Sequence, residues 1–335
     1  MRRTTAAATA AVLMILAGGC SGSAPDDEPA SIPSASTSSA APQQTPVSAS
    51  PTTRPSASPS ASPSAPPAEP VTLPRGGREV FPRYRLVGYS GVTGAKTLGR
   101  LGTGKLDQRI REMEQRAKPY ADGREILPVL EVIATVVQPT PGRDKKFRTR
   151  MADRQIETYV KAARKRKAIV LLNIQPGRSS FMTEVKAYEK WLREPDVGVA
   201  LDPEWAMHKG QIPGQAYGYT SGAELDGVAR YLADLVERHD LPEKVMVYHQ
   251  VSSSVVRKES GLKDHPGVAL VKSVDGLGPP GPKKNTYRVV NQSTPRFVHG
   301  GFKLFYTEDQ RNRSRLMTPA EVLALKPKPE YVLYE

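Results

Sequence analysis

Eight short apolar runs, set along residues 79–335 and mostly separated by longer stretches of helical periodicity, constrain this chain more than any single motif. The runs are Arg85–Ser90, a segment within Glu125–Thr135, Ala168–Gln175, Val197–Trp205, Lys244–Gln250, Val268–Asp275, Phe302–Thr307 and Glu330–Tyr334. Runs of this length, rich in Val, Ile and Leu, read as strands buried on both faces. Between them, Leu106–Ala117, Met151–Lys165, Phe181–Arg193 and a long segment from Ser221 to about Arg238 place apolar residues at helical spacing. Ser221-Gly222-Ala223-Glu224 has the pattern of a capping box, and Thr318-Pro319-Ala320-Glu321 opens a short helix. Strands that alternate with helices must be joined by parallel crossovers. About 255 residues is also the size of one (β/α)8 barrel. The expected fold is therefore α/β, a single (β/α)8 TIM-type barrel over 79–335. The connections after the fifth and sixth runs carry little helical signal. The second of them, rich in Gly and Pro and containing Lys283-Lys284 and Thr286-Tyr287, reads as a surface loop or mobile lid.

The first 78 residues obey a different composition. Arg2 and Arg3 precede the apolar segment Ala6–Leu16, which is too short for an ordinary transmembrane helix and reads as a secretory signal over residues 1–19. Ala17-Gly18-Gly19-Cys20 resembles a bacterial lipobox, with Ala17 where Leu is usual, so Cys20 is the expected site of lipidation. It is the single cysteine of the chain, which leaves no intrachain disulfide to form. Residues 20–78 are a Ser/Ala/Pro-rich tract too poor in large apolar residues to bury a core, and are expected to be a disordered linker. These features predict an exported protein, lipid-anchored to the outer face of the bacterial cell membrane and monomeric. The formal net charge of +14 favours anionic neighbours. Export argues against nucleic acid among them.

In a barrel of this kind the chemistry sits at the C-terminal ends of the strands. The fourth run supplies the densest signal: V-G-V-A-L-D-P-E-W ends in Asp202, Glu204 and Trp205. Continued as a strand, it would place Asp202 and Glu204 on one face, about 6.5–7 Å apart. Two crowded acids separate their pKa values, giving one proton donor and one anion. Other strand ends add Glu131, Asn173, Gln175, His249, Gln250, Asp275 and Tyr306. Amides and carboxylates beside aromatic rings suit a sugar, whose hydroxyls need planar partners and whose ring faces stack.

A D-x-E at the end of strand four of a (β/α)8 barrel resembles the catalytic end of chitinase-type and lysozyme-type glycoside hydrolases. The resemblance implies that Glu204 is the general acid and that Asp202 orients it, stabilises charge or holds a substrate acetamido group. Asn173, Gln175, Trp205, His249, Gln250, Asp275 and Tyr306 are then expected substrate contacts, with a cell-envelope or extracellular polysaccharide as ligand and no cofactor. Chitinase-type barrels carry further aspartates upstream in this strand, where Gly198 and Ala200 stand here. Lysozyme-type barrels carry one at strand one, where Tyr89-Ser90 stand.

Two other readings use the same residues: a barrel that binds carbohydrate without cleaving it, and a metal-dependent phosphoesterase using His249, Asp202 and Asp275. His208, His249 and His265 form no zinc motif. Gly99–Lys105 matches G-x-x-x-x-G-K, but Leu106 replaces the Ser/Thr that would bind magnesium, so a βα loop is expected there. Lys161–Lys167 (K-A-A-R-K-R-K) reads as a basic helix end, solvated or facing an anionic polymer.

Overall fold

The computed structural model describes residues 70–335. The signal peptide, Cys20 and most of the Ser/Ala/Pro tract lie outside the described residues. Eight strands form the framework: β1 (Tyr84–Gly91), β2 (Glu125–Val137), β3 (Ile169–Ile174), β4 (Val197–Leu201), β5 (Lys244–Gln250), β6 (Val268–Val274), β7 (His299–Leu304) and β8 (Tyr331–Tyr334). Each pairs in parallel with its neighbour in sequence, and β1 also pairs with β8, so the sheet closes into a (β/α)8 barrel. The expected fold is the observed one. Both faces of the strands are covered, which is why they read as unbroken apolar runs: all eight residues of β1 and all seven of β5 and β6 are buried.

The outer layer holds α1 (Leu106–Ala117), α2 (Asp153–Arg164), α3 (Phe181–Lys186), α4 (Glu189–Leu192), α5 (Gly222–His239), α6 (Pro280–Val290) and α7 (Pro319–Leu323). Thr318 closes a full capping box: its hydroxyl accepts from the Glu321 amide at 3.3 Å, and Glu321 accepts from the Thr318 amide at 2.9 Å. At α5 only half of the box forms. Ser221 Oγ accepts from the Glu224 amide at 3.2 Å, while the Glu224 carboxylate instead takes the Phe181 amide and the Thr220 hydroxyl.

Three elements differ from the sequence reading, and a fourth, the connection after the fifth strand, is as poor in helix as its sequence suggests. The segment expected as one helix over Phe181–Arg193 breaks between α3 and α4, where Tyr188 turns its hydroxyl onto the Ala134 carbonyl at 2.6 Å. The seventh strand begins at His299, three residues before the apolar signal, because Gly300 and Gly301 give no such signal; a Cβ on Gly301 would lie 3.0 Å from the Lys272 carbonyl. The β5–β6 connection carries no α-helix; Val256–Arg257 pairs instead with Thr220–Ser221. The Gly/Pro segment after β6 is not a lid but α6. Its prolines fall in the first turn, where the missing amides have no helical partner anyway. Lys283 and Tyr287, four residues apart, are buried on one side of it. The Lys283 ammonium caps the Gly276 and Lys303 carbonyls and meets Asp309 at 3.0 Å.

Inside the barrel, Leu86, Val129, Leu171, Val247, Val271 and Leu333 fill the middle. A Cβ on Gly198 would come within 2.4 Å of the Val245 carbonyl, so that glycine lets β4 lie close against β5. Leu73 and Val80 join the interior cluster from the N-terminal ends of the strands. Residues 70–78, grouped by composition with the tract, thus pack as part of the fold: Arg75 donates to the Ile126 carbonyl at 2.9 Å and Arg78 to the Leu241 carbonyl at 2.9 Å. Among the described residues no helix is long and apolar enough to cross a membrane.

Candidate active site

Side chains alternate in and out along a strand, so the register fixes what faces the barrel mouth. Ser90 is level with Glu131, Asn173 is level with Ile133, two residues beyond Glu131, and His249 is level with Ser273. Asp202 follows the last residue of β4, Asp275 follows β6, and Glu335 follows β8; Lys303 belongs to β7. Every strand therefore presents an inward polar residue toward the mouth over an apolar floor. All of these side chains except Glu335 are buried.

The cluster is tied together around His249. Its Nδ1 meets Asp275 at 2.8 Å and its Nε2 meets Glu131 at 3.2 Å. With a carboxylate on each ring nitrogen, both nitrogens donate and the ring is an imidazolium. Burial opposes that charge, but Asp275 and Glu131 outweigh it and hold the His249 pKa well above its usual value. Lys303 adds a second cation, 3.3 Å from Asp275 and 2.7 Å from Glu335; burial would lower its pKa, and Glu335 and Asp275 raise it well above the usual value instead. Burial alone would raise Asp275 and Glu131, yet the two cations keep both below the usual carboxylate range. Ser273 donates to Asp275 at 2.8 Å, and the Tyr331 hydroxyl donates to Glu131.

Asn173 bridges this group to the D-x-E, donating to Glu131 at 3.1 Å and to Asp202 at 3.0 Å. Gln175 donates to the other oxygen of Asp202 at 3.2 Å. Asp202 is raised by burial, an effect that His249 and Lys303 reduce without reversing. Glu204 is different. Burial, then the charges of Asp202 and Asp275, push its pKa well above the usual carboxylate value. It is 7 % exposed and its Oε2 has no hydrogen-bond partner. The two acids are thus distinguished by their surroundings: Asp202 has a donor on each oxygen, and Glu204 is buried, with a raised pKa and one carboxyl oxygen without a partner. This arises without the same-face strand geometry, because β4 ends at Leu201 and Pro203–Trp205 is a turn of 3-10 helix.

The remaining expected contacts divide. Asn173, Gln175, His249 and Asp275 belong to the network. Trp205, next in chain to Glu204, is half-buried. Gln250 lies on the alternate face of β5 from His249; it donates to the Ser252 carbonyl at 3.3 Å and leaves its own Oε1 without a partner. Tyr306 stands apart, bonded to the Tyr89 hydroxyl at 3.1 Å and packed against Tyr334 between barrel and helices. The sequence reading gave no role to Lys303 or Tyr331. Lys303 carried a signal nonetheless: a lone lysine between Phe302 and Leu304, which strand alternation turns inward. Tyr217 was also missed; it lies in the loop after Glu204, is 42 % exposed, and burial together with the Glu204 charge raises its pKa.

His249 has no lone pair left for a metal, since both ring nitrogens are committed to carboxylates. Among the described residues no group of three or more His, Cys, Asp and Glu side chains is disposed to hold one. No protein-family model matches the chain, and no curated protein matches it either. Fold and site together define a (β/α)8 barrel whose strand ends converge on a buried acid–base cluster.

Proposed function

We propose that this protein is a glycoside-hydrolase-type barrel acting on a cell-envelope or extracellular polysaccharide. The observation that carries the reading is Glu204, a buried carboxyl beside Asp202 with an unpartnered oxygen and a pKa raised well above the usual value. A general acid must hold its proton at working pH and keep it uncommitted until the leaving group arrives. In this reading Glu204 protonates the glycosidic oxygen as the bond to the anomeric carbon breaks. Asp202, held by Asn173 and Gln175, faces the positive charge that develops on the sugar ring, directly or through a substrate acetamido group. Water then delivers hydroxide to the anomeric carbon and returns a proton to the Glu204 carboxylate. The His249–Asp275–Glu131 chain positions Asn173 and through it Asp202, while Trp205 and Tyr217 offer rings at the rim for stacking. Secretion and lipidation at Cys20 would place this chemistry on the outer face of the cell membrane.

The test is release of reducing ends from peptidoglycan, chitin-type oligomers and wall polysaccharide by the native protein and by Glu204→Gln. Turnover should fall about 10²–10⁴-fold in the variant, with its fold unchanged. Saturable glycan binding by both, with no cleavage by either, would replace the enzyme with a carbohydrate-binding barrel.

A further inference from the structure

A cleft of about 660 Å³ opens on the outer wall of the barrel between α1 and α2. Lys105 and Arg111 line it from one helix, Lys161 and Lys165 from the other, against one carboxylate, Asp107. All four cations are exposed. Among the described residues Lys161 is the one of the four with an ion-pair partner, Glu157 at 2.7 Å, and such a surface pair competes weakly with an incoming anion. The first turn of α1 also opens here. Lys105 is its N-cap and no side chain caps it, so the leading amides of a twelve-residue helix add partial positive charge to the same cleft.

The charges are strung out rather than gathered. From Lys105 to Arg111 the helix rises about 9 Å, and from Lys161 to Lys165 about 6 Å. A single small anion would meet only part of this array. Phosphate suits it better than carboxylate, because uncapped helix amides and an arginine fork both match phosphate oxygens. We propose that this cleft binds a linear phosphodiester polymer, its successive phosphates running along the paired helices. The site shares no residue with the acid–base cluster and stands or falls independently of the hydrolase reading. Its physical role would be to hold the barrel against a polyanionic matrix.

The experiment measures binding of poly(glycerol phosphate) to the full chain by calorimetry, at low and at raised salt. The cleft variant carries K105Q, R111Q, K161Q and K165Q. A control of equal charge change carries R230Q, K263Q, R296Q and K326Q, all exposed elsewhere. Circular dichroism checks that both are folded. Binding should weaken on the order of tenfold or more in the cleft variant, with a shallower salt dependence, and stay near native in the control. Equal weakening in both would overturn the proposal in favour of bulk charge. Native-strength binding of polygalacturonate, lost with the same substitutions, would overturn the phosphate assignment. Loss confined to phosphatidylglycerol vesicles, with polymer binding intact, would make the cleft a membrane contact instead.

Discussion

A glutamic acid in water gives up its proton near pH 4.3. Glu204 keeps its own to a much higher pH because burial and the charges of Asp202 and Asp275 disfavour the anion. If its protonated form does the work, kcat/KM should fall as pH rises through that elevated value, giving an alkaline limb absent from an ordinary carboxyl. Replacing Asp202 with Asn removes the nearer like charge, so the limb should move to lower pH as the rate drops. A pH–rate profile of the two proteins decides this, and a limb that stays in place would detach it from Glu204. His249 poses the complementary case. Cutting it back to Ala removes the buried cation that Asp275 and Glu131 share, at a cost of about 3–5 kcal/mol. Urea titration of the variant measures that loss.

At the scale of elements, the strands were the most legible part of the sequence and the connections the least. Strands buried on both faces are built mainly of apolar residues, and all eight show as apolar runs, the seventh only from Phe302 onward. The same rule made Asn173, Asp202 and Asp275 conspicuous, because polar residues at the end of an apolar run mark the mouth. It hid Lys303, since the glycines before it shifted the reading of β7. It hid α6 as well, where Pro280 and Pro282 resemble loop residues until the helix start is located. That helix is anchored by the buried Lys283 ammonium together with Tyr287 and Val290. Lys283→Met should cost about 3–5 kcal/mol by taking the cation from buried Asp309, which keeps the Gly278 and Phe305 amides, and should also loosen the segment around Gly276 that it anchors. Hydrogen exchange at residues 276–283, faster in the variant than in the native protein, is the expected signature; unchanged protection would show that α6 stays docked without the lysine.

For the whole molecule, the buried cluster sets how stability follows pH. Glu131 and Asp275 have folded pKa values below their unfolded ones, so their contribution is complete above about pH 4 and is lost as pH falls through the folded values. His249 has a raised folded pKa, so its contribution is complete below about pH 6.5 and is lost as pH rises through that raised value. Glu204 pulls the same way as His249, because above about pH 4.3 the unfolded chain releases a proton that the folded one retains. The cluster should therefore stabilise the fold most in mildly acidic solution. Thermal unfolding across pH would show a Tm that declines on the alkaline side, and His249→Gln should flatten that decline. The opposite end of the barrel can be probed separately. Leu73→Ala should cost about 2–5 kcal/mol, and a chain beginning at Glu79 should lose more, since the carbonyl contacts of Arg75 and Arg78 go with it.

Leu73, Arg75 and Arg78 have a mechanical consequence too. They fasten the start of the described chain to the floor of the barrel, one strand length from the mouth. Any load applied through residue 70 is taken up by this latch, and the acid–base cluster at the far end feels none of it directly.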